Sequence, residues 1–136
     1  SQGPAAALRC VKELEGHTDW VRAVAVAGCR VYSGSDDKTV RVWSAETHRC
    51  VRVLRGHTGQ VWAVAVGEGR VYTGSDDNTV RVWSAETHEC VAVLEGHTDC
   101  VRAVAVGEGR VYSGSDDKTV RVWSAETHEC VAVLEG

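Results

Sequence analysis

Residues 57–83 read HTGQVWAVAVGEGRVYTGSDDNTVRVW, and the fold turns on what flanks them. The same stretch stands upstream at 17–43 as HTDWVRAVAVAGCRVYSGSDDKTVRVW, and downstream at 97–123 as HTDCVRAVAVGEGRVYSGSDDKTVRVW. The interval is 40 residues each time, and most positions match in all three copies. A fixed period of this size marks a repeat architecture, in which one supersecondary unit stacks on its neighbours to build a shared core.

Each unit divides into four short strands. In the first copy, residues 20–26 (WVRAVAV) are apolar on both faces, so a strand there is covered on both faces. Residues 30–34 (RVYSG) make a second strand, and Ser35-Asp36-Asp37-Lys38 is turn chemistry, because Ser and Asp side chains bond their own backbone. Residues 39–43 (TVRVW) alternate β-branched residues and make a third strand. A polar link, 44–49, leads to a fourth at 50–54 (CVRVL). Gly67-Glu68-Gly69 and Gly107-Glu108-Gly109 are hairpin turns; no helix follows them, so they are not phosphate cradles.

Composition narrows the function. The 136 residues carry a net charge of −4, which argues against a general nucleic-acid binder and against an anionic membrane surface as partner. There is no uncharged apolar run of about 18 residues. Residues 1–8 read as a flexible leader without the charged start or apolar core of a signal peptide. Of six cysteines, Cys10, Cys50, Cys90 and Cys130 recur at the repeat interval, while Cys29 and Cys100 are single. Sulfurs at equivalent places in units that fan out lie too far apart to bridge, since a disulfide needs Cα atoms within about 7 Å. Reduced thiols in a cytoplasmic or nuclear protein are the expectation.

The period, the four strands per unit, the Gly-His before the first strand and the Trp closing the third together resemble the WD40 family of β-propellers. The resemblance covers almost the whole chain after residue 8. It implies an all-β fold of antiparallel four-stranded blades, three per chain, at about 9–49, 50–89 and 90–136, with a fourth-type strand at each end. The chain departs from the family pattern at Ser44, Ser84 and Ser124, where Asp often follows the Trp. It departs again at His48, His88 and His128, where Gly is frequent.

Each copy holds a His, a hydroxyl residue, an Asp and a Trp: His17, Ser33, Asp37 and Trp43; His57, Thr73, Asp77 and Trp83; His97, Ser113, Asp117 and Trp123. Ser, His and Asp could suggest a hydrolase. The resemblance instead implies a structural tetrad, and its logic is satisfaction of buried polar groups: Trp donates to the hydroxyl, the hydroxyl to His, and His to Asp. A Thr at position 73 fits that role better than a nucleophile, and there is no Gly-x-Ser-x-Gly elbow. No catalytic residue, metal site or cofactor is expected, because His spacing follows the repeat and no Cys-x-x-Cys is present. Arg41, Arg81 and Arg121 alternate with Val and are expected to pack between blades or to pair with acids.

Residues 9–14 (RCVKEL) match the fourth-strand positions too, giving thirteen strands for twelve places. Propellers close at about four to eight blades, and three blades make an open arc with two apolar ends. Closure is therefore expected from other copies: a nine-bladed homotrimer is slightly favoured over a six-bladed homodimer. The last residues, Glu135-Gly136, stand where the other copies run on into His-Thr, as in a piece of a longer array. The resemblance implies a non-enzymatic scaffold that takes protein or peptide partners on the top face. The matching positions are Trp20, Arg22 and Asp36; Gln60, Trp62 and Asp76; Cys100, Arg102 and Asp116. The other reading is a purely structural, self-associating propeller fragment, natural or designed.

Overall fold

The computed structural model describes residues 7–136, so Ser1 to Ala6 of the leader lie outside the described residues. Twelve strands are present among the described residues, in three antiparallel sheets. Blade 1 holds β1 (Val21–Ala27), β2 (Arg30–Ser35), β3 (Val40–Ser44) and β4 (Cys50–Leu54). Blade 2 holds β5 (Val61–Gly67), β6 (Arg70–Ser75), β7 (Val80–Ser84) and β8 (Cys90–Leu94). Blade 3 holds β9 (Val101–Gly107), β10 (Arg110–Ser115), β11 (Thr119–Ser124) and β12 (Cys130–Glu135). Each sheet runs in simple chain order, and the first strands β1, β5 and β9 lie side by side along the inner edge of the arc.

The sheets do not coincide with the sequence units. They run 21–54, 61–94 and 101–135, because each fourth strand pairs with the third strand before it, as in Val80↔Leu94. Residues 9–14 accordingly form no strand. Their pairing partner would be the third strand of a preceding blade, and Val11 stays 93% exposed.

The turns follow local chemistry. Glu68 and Gly69 both have positive φ, 54° and 76°, as a two-residue type I′ hairpin requires. His48, His88 and His128, where the family favours Gly, sit in the left-handed region at 64°, 65° and 66°.

The core lies between blades. Tyr32, Val40, Val42 and Leu54 of blade 1 meet Val61, Val71 and Trp83 of blade 2. Val64 and Val66 of β5 pack on this cluster, while Ala65 packs on the next one. That is why the first strand is apolar on both faces: each face serves a different interface. The second interface repeats the first with Tyr72, Val80, Val82 and Leu94 against Val101, Val111 and Trp123. Burying a large apolar side chain contributes about 1.5–3 kcal/mol, so each interface holds the arc together strongly.

Candidate functional site

Two polar constellations recur in each blade, one inside the sheet and one along the edge that we call the top face. The top face carries the loops before the first strands and the turns between second and third strands.

The inner constellation is the His, hydroxyl, Asp and Trp set. In blade 2 the Trp83 indole donates to Thr73 Oγ1 at 2.9 Å, the hydroxyl meets His57 Nε2 at 2.7 Å, and His57 Nδ1 meets Asp77 Oδ2 at 2.8 Å. In blade 1, Trp43 to Ser33, Ser33 to His17 and His17 to Asp37 span 2.8, 2.6 and 2.8 Å. In blade 3, Trp123, Ser113, His97 and Asp117 are linked at 2.8, 2.7 and 2.7 Å. Each Asp does more than hold the His. Asp37 Oδ2 accepts from the Thr18 amide at 3.1 Å, and Oδ1 accepts from the Thr39 amide at 2.9 Å and its hydroxyl at 2.6 Å. Thr39, Thr79 and Thr119 were not singled out in the sequence; their fixed place two residues after the Asp was the available signal.

Burial opposes ionisation of Asp37, but the bonds from Thr39, His17 and Thr18 outweigh it and hold the carboxyl at about 2. Asp77 and Asp117 are likewise held below the usual carboxylate range, against burial, by the His and Thr beside them. The hydroxyl is the chemical test of the hydrolase idea. Thr73 and Ser113 are 0% exposed, and the oxygen already accepts from an indole N–H. An attacking oxygen must also reach substrate, and these are buried with one lone pair already taken by the indole.

Arg41, Arg81 and Arg121 lie under the Gly-His turns. A Cβ on Gly16 or Gly56 would fall 2.7 Å from Nη1 of Arg41 or Arg81, so the glycines let the guanidinium lie flat under the Gly-His turn. Arg41 and Arg81 sit 6.0 Å over Trp43 and Trp83. No ion pair to an acid is formed by them among the described residues.

The outer constellation is created by a β-bulge. Val21 pairs with Ser35 and Ala23 with Gly34, leaving Arg22 as an extra residue. Trp62 is extra in the same way between Val61 and Ala63, and Arg102 between Val101 and Ala103. A bulge re-aims the side chain of the added residue, here onto the top face. Asp36, Asp76 and Asp116 arrive from the neighbouring turn, which is fixed by Asp36 N to Trp20 O at 2.8 Å and its equivalents.

The three blades then share one row. Arg22 makes a two-point pair with Asp36, 2.9 Å at both contacts, and lies 4.7 Å over the rings of both Trp20 and Trp62. Arg102 also lies over the Trp62 ring, at 4.2 Å, and pairs with Asp116 at 2.9 Å. Trp62 Nε1 donates to Asp76 at 3.2 Å, and the Cys100 thiol meets the same oxygen at 2.6 Å. That bond, with burial second, pushes the Cys100 thiol up to about 12, which favours the neutral thiol. All the top-face positions named from the sequence except the Gln60 side chain thus meet in a Trp20–Arg22–Trp62–Arg102 stack with three carboxylates beside it. Gln60 contributes its backbone oxygen, which accepts from Asp76 N at 2.8 Å.

No described helix is long and apolar enough to cross a membrane.

The WD domain, G-beta repeat family matches residues 8–44, 48–84 and 88–124. The "Nuclear distribution protein PAC1" of Saccharomyces cerevisiae is 45% identical over 40 residues, covering 29% of this chain and 8% of that protein. The "Probable E3 ubiquitin ligase complex SCF subunit sconB" of Arthroderma otae is 56% identical over 36 residues, 25% of this chain and 5% of that protein. The chain therefore spans less than a tenth of these relatives. Among solved structures, the RRP9 WD40 repeats superpose with a TM-score of 0.87 at 25% identity, over 90% of this chain and 41% of that one. The U3-55K structure is similar to the same degree.

Proposed function

The chain belongs to the WD40 repeat family, and from that membership we propose that it is a non-enzymatic protein-interaction scaffold whose docking surface is the top-face row. The observation that carries this reading is the row itself. Near-constant blades hold the variable positions 20, 22, 62 and 102 in one continuous stack of indoles and guanidinium groups. Trp20 is 69% exposed, and Trp and Arg are the residue types in which interface energy concentrates. The guanidinium groups are held by carboxylates on the protein, so little side-chain entropy is left to lose on binding. A protein or peptide segment laid across the arc would contact all three blades. The sconB relative, described as a subunit of a ligase complex, is in keeping with such a role.

The test compares proteins captured by the wild-type chain and by Trp62→Ala, quantified by mass spectrometry. Retention of specific partners is expected to fall about tenfold or more in the variant. Partner sets that do not differ, or none at all, would leave the second reading: a purely structural propeller segment that associates with itself. That reading is favoured by one feature, the two apolar flanks of the arc, where Val24 is 62% and Leu134 is 53% exposed.

A further inference from the structure

The open flanks of the arc are not alike: one is a plug and the other a socket, and the chain already joins this plug to this socket twice. At the first junction Val61 and Val64 seat against Gly34, where a Cβ would lie 2.7 Å and 3.0 Å from their methyl groups. At the second, Val101 and Val104 seat against Gly74 at the same 2.7 and 3.0 Å. The glycine floors a socket walled by Tyr32, Val40 and Leu54 in blade 1 and by Tyr72, Val80 and Leu94 in blade 2.

Blade 3 carries the socket again, unfilled. A Cβ on Gly114 would meet only its own Ala103, at 3.9 Å. Tyr112 is 40%, Val120 37% and Leu134 53% exposed. A groove of about 230 Å³ runs between Ala103, Val104, Tyr112, Gly114 and Val120. Blade 1 carries the plug again, unseated, with Val21 50%, Val24 62% and Val26 66% exposed. Every plug and socket position has the same residue type as its counterpart at the two internal junctions.

We propose that the blade 3 socket of this chain takes the blade 1 plug of a second copy, Val21 and Val24 over Gly114, so that copies join head to tail and close a ring. The interface is heterologous, and a heterologous contact ends either in a ring or in an open filament. Two copies supply six blades and three supply nine, and both use the same junction. β12 already pairs with β11 from Thr119↔Glu135 to Trp123↔Cys130, so the fourth-strand-like segment 9–14 of the incoming copy stays off that edge.

The junction also completes the top-face row, a consequence that rests on that row being the docking surface. Inside the chain, position 100 reaches the Asp of the blade before it, as Cys100 does to Asp76. Across the new junction the equivalent residue is Trp20, and the Asp is Asp116. The Asp116 side chain is 41% exposed, whereas Asp36, covered by a following blade, is 6% exposed. The second copy thus brings an indole N–H donor to a carboxylate that is half finished in the single chain. Arg22 of that copy comes beside Arg102, each already neutralised by its own Asp.

Light scattering on the 136-residue chain should find one discrete species of two or three chains. Gly114→Val fills the socket with only an ordinary contact, to Ala103, from its Cβ to its own blade, and Val24→Asp spoils the plug at an exposed position; both should be folded by circular dichroism and monomeric by light scattering. Mixed together, they keep one good plug and one good socket between them and should form a one-to-one heterodimer and nothing larger. Trp20→Ala should weaken the junction about tenfold, as loss of an interfacial Trp does. A wild-type chain that stays monomeric at high concentration overturns the proposal. So does assembly that survives Gly114→Val, or a mixture that fails to pair. Partner capture is read separately on Trp62→Ala, which leaves plug and socket intact, so failure of the scaffold reading and failure of self-association are distinguishable.

Discussion

Blades 2 and 3 are almost the same sequence, yet they hold their apolar residues very differently. Tyr72, Val80 and Leu94 are 0%, 0% and 2% exposed, while Tyr112, Val120 and Leu134 are 40%, 37% and 53% exposed. The polar tetrads show no such contrast: Thr73 and Ser113 are both 0% exposed, and His57 and His97 are 7% and 6% exposed. The difference separates two kinds of stabilisation. The tetrad's hydrogen bonding is completed within a blade, and burial of these three apolar residues is conferred by the blade that follows. A blade at an open flank is therefore finished in its tetrad and unfinished in its packing.

The largest effect tests the packing half. Tyr72→Ala should cost about 3–5 kcal/mol, the usual cost of emptying a large aromatic from a core. Tyr112→Ala, made in the monomeric Gly114→Val background, should cost under about 1 kcal/mol, as at other exposed positions. Urea unfolding followed by Trp fluorescence measures both. In the assembled wild-type protein the two costs should converge, because the incoming plug then covers Tyr112. Equal costs in the monomer would mean that blade 3 packs its own face, and the contrast would collapse.

The tetrads test the other half, at smaller scale. Asp77→Ala and Asp117→Ala should each lower the melting temperature, at about 1–3 kcal/mol for the donors left unpaired. The two losses should agree within error although one blade is flanked and the other open. A much milder loss for Asp117→Ala would show that the tetrad too depends on a following blade.

These comparisons also explain what could be read from the sequence. The four strands follow from alternating β-branched residues and from turn residues at Ser35-Asp36-Asp37 and Gly67-Glu68-Gly69, all of them local signals. The tetrad was legible through the family resemblance, its members recurring at fixed offsets, 20 residues from His17 to Asp37 and 16 from His17 to Ser33. The bulge at Arg22, Trp62 and Arg102 was not, since it appears only when two residues are counted against one across a strand pair. Nor was the stacking of Arg22 on Trp62, which are neighbours only because adjacent blades place their first strands side by side. Nor was the place of Arg41, whose guanidinium lies flat under the turn that the small Gly16 opens. A glycine inside a strand, such as Gly34, was an available sign of close approach, but the chain alone does not say what approaches.

Acid should act on all three tetrads together. An unfolded Asp titrates near about 3.9, and folding depresses Asp37 to about 2, with Asp77 and Asp117 depressed as well. A depressed carboxylate stabilises the fold fully above its unfolded value and loses that contribution as pH falls through its folded value. The tetrads' contribution to the urea midpoint should therefore hold down to about pH 4 and be lost toward about pH 2. Asp77→Asn should remove about a third of the drop if the three carboxylates contribute alike. A midpoint that stays level across this range would show that the carboxylates gain nothing from their partners.

The smallest effect returns to the junctions, from the side opposite the top face. His128 of blade 3 accepts from Arg70 of blade 2 at 3.4 Å, and burial followed by the Arg70 charge lowers its pKa. His88 is lowered by burial and by Arg52 and Arg30 of blade 1. A depressed His binds fewer protons folded than unfolded, so stability should decline as pH falls below about 6.5, well before the carboxylates titrate. Both histidines face the preceding blade, so this loss belongs to the junctions, whereas the loss below about pH 4 belongs to the interiors of the blades. His128→Asn keeps a residue tolerant of the positive φ of 66° and removes the titrating group. It should flatten part of the decline between about pH 6.5 and pH 5 while leaving the acid limb unchanged. If it shifts the acid limb instead, the two kinds of stabilisation are coupled, and blades cannot be treated as units completed separately from their neighbours.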